Sequence, residues 1–196
     1  MKTLLYIDCC IRREASRTKH AADHLINRLR ESGTFTLTTL TLMDEPLQNL
    51  SGDFFQAREV LLQAGDLNHR RFDYAHQFAN ADLIVVAAPF WDLGFPALLK
   101  TYIENVSVDG ITFYADAIGI HGKSKAQQLI FVTTRGGVYS GSHLEMGSRY
   151  MEALTEFFGI PAYTLFMAEG LDAEGVDAAA EMATLLADID DFVATM

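Results

Sequence analysis

The chain has 196 residues, 49% of them hydrophobic, two cysteines and a formal net charge of −11. That length and apolar content suit a single domain spanning 1–196 with a sizeable core, and they exclude a disordered chain. The acidic balance excludes a general nucleic-acid or anionic-membrane binder, and no apolar run reaches the roughly 18 residues of a membrane-inserting helix.

Taken in chain order, "TLLYID" (3–8) reads as the first strand rather than a signal peptide. Its apolar run is short, ends in Asp8 and has no small-residue cleavage site. Cys9 and Cys10 follow; adjacent cysteines make no disulfide framework and suit a reducing, cytoplasmic location. A helix is expected from about Arg17 to Glu31, with Ala21, Ala22, Leu25, Ile26 and Leu29 on one face. Gly33 stops it. "FTLTTLTL" (35–42) alternates as a near-edge strand does, and 44–80 holds two helical patterns, 54–64 and 70–81, with no strand signal. "DLIVVAAP" (82–89) is apolar throughout, the mark of a central strand covered on both faces. A helix over 96–106 starts at a proline. "QQLIFVTT" (127–134) and "AYTLFMA" (162–168) are the last strands, and helices are expected at about 143–158 and 174–194.

Five strands with intervening helices predict a doubly wound α/β fold with a parallel sheet of order 2-1-3-4-5 and helices on both faces. A ligand then belongs beyond the carboxyl ends of the strands, at the switch point. After strand one, "CCIRREASRT" (9–18) lacks the glycines of a dinucleotide or phosphate loop. It offers Ser16, Arg17 and Thr18 at a helix start, where hydroxyls and free N–H groups suit an anion. Arg12, Arg13, Arg17, Lys19 and His20 cluster there too. A simple serine cap and a solvated loop account for the same residues equally well.

After strand three, "PFWDLGFP" (89–96) places Phe90 and the only tryptophan, Trp91, beside Asp92 and Leu93. Aromatic side chains on irregular backbone suit a flat heteroaromatic ring; core residues capping the sheet are the plain alternative. After strand four, Gly136 and Gly137 in "TTRGGVYSGS" (133–142) let backbone approach a ligand, as an ordinary loop would also allow. Together the three strand ends describe an anion end, an aromatic slot and a backbone-lined polar edge, the parts of a flavin mononucleotide. His20 and His24, four apart, lack an evident third metal ligand, Glu169 and Gly170 read as structural, and the acidic stretch 172–191 reads as an outer amphipathic helix.

The segments "AAPFWDLGFPALLKTYIE" (87–104), "DGITFYA" (109–115), "VTTRGG" (132–137) and "EFFGIPAYTLFMAEG" (156–170) resemble the flavodoxin-like FMN-dependent NADH-azoreductase and NAD(P)H:quinone oxidoreductase family over nearly the whole chain. The resemblance implies FMN at a homodimer interface, NADH or NADPH as electron donor, and a quinone or azo compound as acceptor in ping-pong hydride transfer. It implies that Cys10, Ser16, Arg17 and Thr18 surround the phosphate. Pro89, Phe90, Trp91, Asp92 and Leu93, with Thr134, Arg135, Gly136, Gly137 and Tyr139, would hold the ring. Phe113 and Phe157 would shape the substrate space. No side chain is nominated as catalytic, because the flavin carries the hydride.

Two positions depart from the family. Cys10 replaces a serine with a weak thiol donor. Asp92 replaces an asparagine, and a carboxylate aimed at the ring would disfavour the reduced flavin's negative charge. A flavodoxin-like electron carrier without its own substrate turnover is the competing reading.

Overall fold

Strand β1 (Lys2–Asp8) lies inside the main sheet, paired on one side with β2 (Phe35–Thr41) and on the other with β3 (Leu83–Ala87). The computed structural model describes all residues, 1–196. A short antiparallel hairpin, β4 (Phe113–Ala115) and β5 (Ile120–Gly122), stands apart from the main sheet. Strands β6 (Gln128–Thr134) and β7 (Tyr163–Ala168) complete it. The five-stranded sheet is parallel throughout, in the order β2-β1-β3-β6-β7, which is the expected flavodoxin-like order. Every residue of β3 is buried, as its unbroken apolar sequence requires of a strand covered on both faces.

One face of the sheet is covered by α1 (Arg17–Glu31) and α6 (Ala178–Ala194), through Leu25, Leu29, Leu185 and Ile189. His24 helps join these two helices, with Nε2 2.9 Å from Asp190 Oδ1. The other face is covered by α3 (Asp73–Asn80), α4 (Ala97–Val106) and α5 (Gly147–Phe157), through Phe78, Leu99, Ile103 and Met151. Helix α2 (Gly52–Gln63) packs outside them on a small satellite cluster around Phe72 and Ile111. Cys9 and Cys10 are fully buried in opposite layers, since successive residues of an extended chain point to opposite faces.

Two of the helices start clearly later than the sequence pattern suggests. Helix α5 begins at Gly147 rather than near 143, because the buried Glu145 accepts the Ser148 N–H at 3.0 Å. Helix α6 begins after Asp177, whose side chain accepts from Ala179 and Ala180. Strand β3 stops at Ala87, two residues before the expected Pro89. The hairpin had no strand signal of its own, because three-residue strands are too short to show an alternation.

Candidate functional site

At the carboxyl edge of the sheet the chain crosses in opposite directions on leaving β1 and β3, which makes a switch point between them. Backbone hydrogen bonds carry the ladder beyond the strands. Cys9 N–H donates to Ala87 O at 2.8 Å, Ala88 N–H to Val132 O at 3.1 Å and Phe90 N–H to Thr134 O at 3.1 Å. The three loops are therefore held at fixed spacing. They enclose two adjoining cavities, of about 130 Å³ and about 600 Å³, which share Phe90 and Gly136.

The smaller cavity combines a helix amino terminus with basic and hydroxyl side chains. It is lined by Arg12, Ser16, Arg17 and Thr18 from the start of α1, by Pro89, Phe90 and Trp91, and by Thr134, Gly136 and Asp172. Ser16 caps the helix, its Oγ accepting Lys19 N–H at 3.3 Å. The next two N–H groups, of Arg17 and Thr18, have no acceptor within the chain. Thr18 and Thr134 join the two loops by a hydroxyl–hydroxyl bond of 2.7 Å. The basic cluster read from the sequence divides here. Arg13 pairs with Asp44 and Lys19 with Asp23, leaving Arg12 and Arg17 to the cavity.

The larger cavity is lined by Phe90, Asp92, Leu93, Gly136, Gly137 and Tyr139. Trp91 is 42% exposed beside the switch point, not packed in the core. It opens a tight two-residue turn closed by Gly94, with N–H···O bonds of 3.2 and 2.8 Å between them. Asp92 and Leu93 form the tip at φ +48° and +67°. Both central residues at positive φ is the type I′ pattern, which asparagine and aspartate tolerate and leucine resists. Asp92 thus has a backbone reason to stand here. Its side chain is solvent-exposed on the lining of the larger cavity. Leu93 is strained at its positive φ and lies on the wall of the larger cavity.

Arg135 supports both cavities from beneath. Its side chain is 1% exposed, donates from Nη2 to Glu145 Oε1 at 2.8 Å and lies 3.6 Å from Glu169. Its guanidinium sits 4.9 Å from the centre of the Phe90 ring, whose centroid is also 4.7 Å from that of Tyr139. Glu169 accepts the N–H groups of Tyr139 and Ser140 at 2.8 and 3.0 Å, which bears out a structural part for it. Burial works to raise the Glu145 carboxyl, but hydrogen bonds from Ser148 and the charge of Arg135 outweigh it and hold the group below its ordinary value. The same balance, with Tyr139 and Ser140 as donors, lowers Glu169.

Most residues proposed from the sequence line one of the two cavities. Three groups stand elsewhere. Cys10 is fully buried against α1, its thiol facing Ala87 O at 3.8 Å, so the phosphate role assigned to it is corrected to a core one. Burial, followed by the Asp8 charge, pushes that thiol's pKa well up. Arg135 reaches neither cavity with its guanidinium and acts through Phe90 and the loop. Phe113 and Phe157 touch each other at 4.8 Å but line neither cavity within one chain. Conversely, Arg12, Glu145 and Asp172 were not assigned to the site from sequence. Arg12 carried a signal in the basic cluster; the other two lie outside the motifs and arrive only by folding.

A family model described as flavodoxin-like fold matches residues 2–193. An FMN-dependent NADH:quinone oxidoreductase of Clostridium perfringens is 36% identical over 179 residues, covering 90% of each chain. A second, of Clostridium acetobutylicum, is 37% identical over 182 residues with the same coverage. Among solved structures, an azoreductase of Bacillus anthracis superposes with a TM-score of 0.89 over the full length of both chains at 22% identity. An FMN-dependent NADH-azoreductase of the same species, in complex with FMN, gives 0.88 at 18% identity, covering 100% of this chain and 99% of that one. These two likenesses establish the fold.

Proposed function

The chain belongs to the flavodoxin-like fold family, alongside FMN-dependent NADH:quinone oxidoreductases, and from that premise we propose that it is itself an FMN-dependent NAD(P)H:quinone oxidoreductase. One observation carries the reading: an anion end and an aromatic slot lie side by side on neighbouring strand ends at the switch point. The residues fit the cofactor. The unpartnered N–H groups of Arg17 and Thr18, with Ser16 and the Arg17 guanidinium, would hold its phosphate. Trp91, Leu93 and Tyr139 would flank the ring. The N–H groups of Gly136 and Gly137 also donate to nothing in the chain, and would meet the polar edge of the ring.

When bound, FMN supplies a reversible two-electron carrier between a nicotinamide and a quinone. The chain's own work is to bind, orient and exclude water. Phe90, packed against Arg135 and Tyr139, would form part of the slot floor. The strained Trp91–Gly94 turn presents Leu93 as an apolar wall. Protons can come from solvent, so no side chain is needed as an acid.

The proposal includes NADPH beside NADH as donor, azo compounds beside quinones as acceptors, and a homodimer with the flavin site near the interface. Support for a second copy comes from the β4–β5 hairpin. It carries Ile118 at 89% and Ile120 at 58% exposure, next to the Phe113–Phe157 pair, surfaces a partner would cover. The two free buried cysteines are in keeping with a cytoplasmic location, and no helix is long and apolar enough to cross a membrane.

Trp91 is the only tryptophan and makes the test direct. Titration with FMN should quench its emission and raise the melting temperature, and the loaded protein should oxidise NADH or NADPH with menadione as acceptor. Unchanged emission and melting would sink the flavin reading. Quenching without turnover would make the protein an electron carrier.

Leu93→Gly separates wall from turn. Glycine relaxes a positive φ that costs leucine about 1–2 kcal/mol, which offsets its greater freedom in the unfolded chain. Urea unfolding should therefore change by less than about 1 kcal/mol, while FMN binds about fivefold more weakly for want of the apolar wall. A large loss of stability instead would mean that Leu93 serves packing.

A further inference from the structure

The cation at the anion end is already engaged. Arg17 Nη1 lies 2.9 Å from Asp172 Oδ1, Nη2 donates to Asp172 Oδ2 at 3.0 Å, and Nη1 also donates to Leu171 O at 3.0 Å. This is a two-point grip of the kind a guanidinium gives a phosphate. The carboxylate also leans over Gly136: a methyl group placed on that glycine would stand 2.4 Å from Asp172 Oδ2. An internal anion therefore lies against both the arginine and the glycine floor of the smaller cavity.

The loop does not need this carboxylate to keep its shape. Leu171 N–H donates to Arg135 O at 3.1 Å, Asp172 N–H to Gly136 O at 2.9 Å and Ala173 N–H to Gly170 O at 2.9 Å, all backbone bonds. The Asp172 side chain is 67% exposed and that of Arg17 37%, so the pair opens at little cost. The hydrogen bonds and charge of Arg17, with the charge of Arg12, keep the Asp172 carboxyl below its ordinary range, so it is an anion at neutral pH.

We propose that Asp172 is a specificity-determining residue that competes with the ligand's phosphate for Arg17 and so tempers affinity for phosphorylated flavin alone. The proposal rests on the flavin reading above. A phosphate arriving at Ser16, Arg17 and Thr18 must displace the carboxylate and then endure it as a nearby like charge. A flavin without phosphate meets neither obstacle, because it leaves the arginine paired. Asp172 thereby narrows the gap in affinity between FMN and riboflavin and keeps the cofactor exchangeable.

The test compares FMN and riboflavin on wild type, Asp172→Asn and Asp172→Ala, read by quenching of Trp91 emission rather than by turnover. Both variants should bind FMN about three- to fivefold more tightly, with riboflavin unchanged within about 1.5-fold of wild type. The FMN gain should shrink as salt is raised, because the lost repulsion is between exposed charges. Equal or weaker FMN binding in the variants would show that Asp172 only orients Arg17. A matching gain for riboflavin, or a gain confined to the asparagine variant, would overturn the proposal as well. If neither flavin quenches wild type or variants, the flavin reading itself falls and this inference with it.

Discussion

Replacing Arg135 by methionine should lower the free energy of unfolding by about 3–5 kcal/mol, the usual cost of stranding a buried charge. Arg135 is 1% exposed and Glu145 8%, and the pair meets at 2.8 Å. Methionine fills much of the volume but leaves Glu145 facing an apolar wall. Urea denaturation measures the loss, and a change below about 1 kcal/mol would show that the charge is solvated after all. Arg135→Met combined with Glu145→Gln should cost well under the sum of the two single changes, because the stranded charge is gone.

The sign of the pH dependence follows from the same network. Glu145 and Glu169 are both held below their ordinary values in the folded chain. The stability they contribute is present above the unfolded value of about 4.3 and lost as pH falls through the folded values. The gap between wild type and Arg135→Met should therefore narrow in acid. Because Arg135 also underlies Phe90, and Glu169 holds the Tyr139 loop, FMN affinity should fall with the same variant.

Gly122→Ala should cost about 3 kcal/mol or more, and for a different reason. A Cβ at Gly122 would stand 1.9 Å from the Phe158 carbonyl carbon and 2.0 Å from Gly159 N. Those are backbone atoms at the end of α5, unable to swing aside as a side chain would. The β4–β5 hairpin must lift, and with it Phe113, now 4.8 Å from Phe157. If that surface meets a second copy, sedimentation should show wild type at twice 21.7 kDa and the variant shifted towards the single chain. A variant as stable and as associated as wild type would rule out both the close backbone approach and this interface.

The sequence was most informative where one local rule governs a whole segment. Unbroken apolar runs and intervening 3.6-residue periods were enough for five parallel strands and their order, since a strand covered on both faces has few other solutions. Ser16-Arg17-Thr18 and Phe90-Trp91, which line the smaller cavity, were legible as strand-end residues because their place after a strand follows from that order. Asp92 was half legible. Its departure from the family's asparagine drew an electrostatic reading, whereas the turn at φ +48° shows a backbone demand that aspartate also meets.

By itself, then, the chain's residue pattern determined the sheet, the switch point and the loops that converge on it, because periodicity and strand-end position are local properties. Only the tertiary structure decided which charges face one another there: Asp172 lies 155 residues from Arg17 along the chain, and Glu169 lies 34 after Arg135. It also moved Cys10 from the site into the core. Charge pairing and burial depend on distances between segments far apart in the chain, and no spacing within any one segment encodes them.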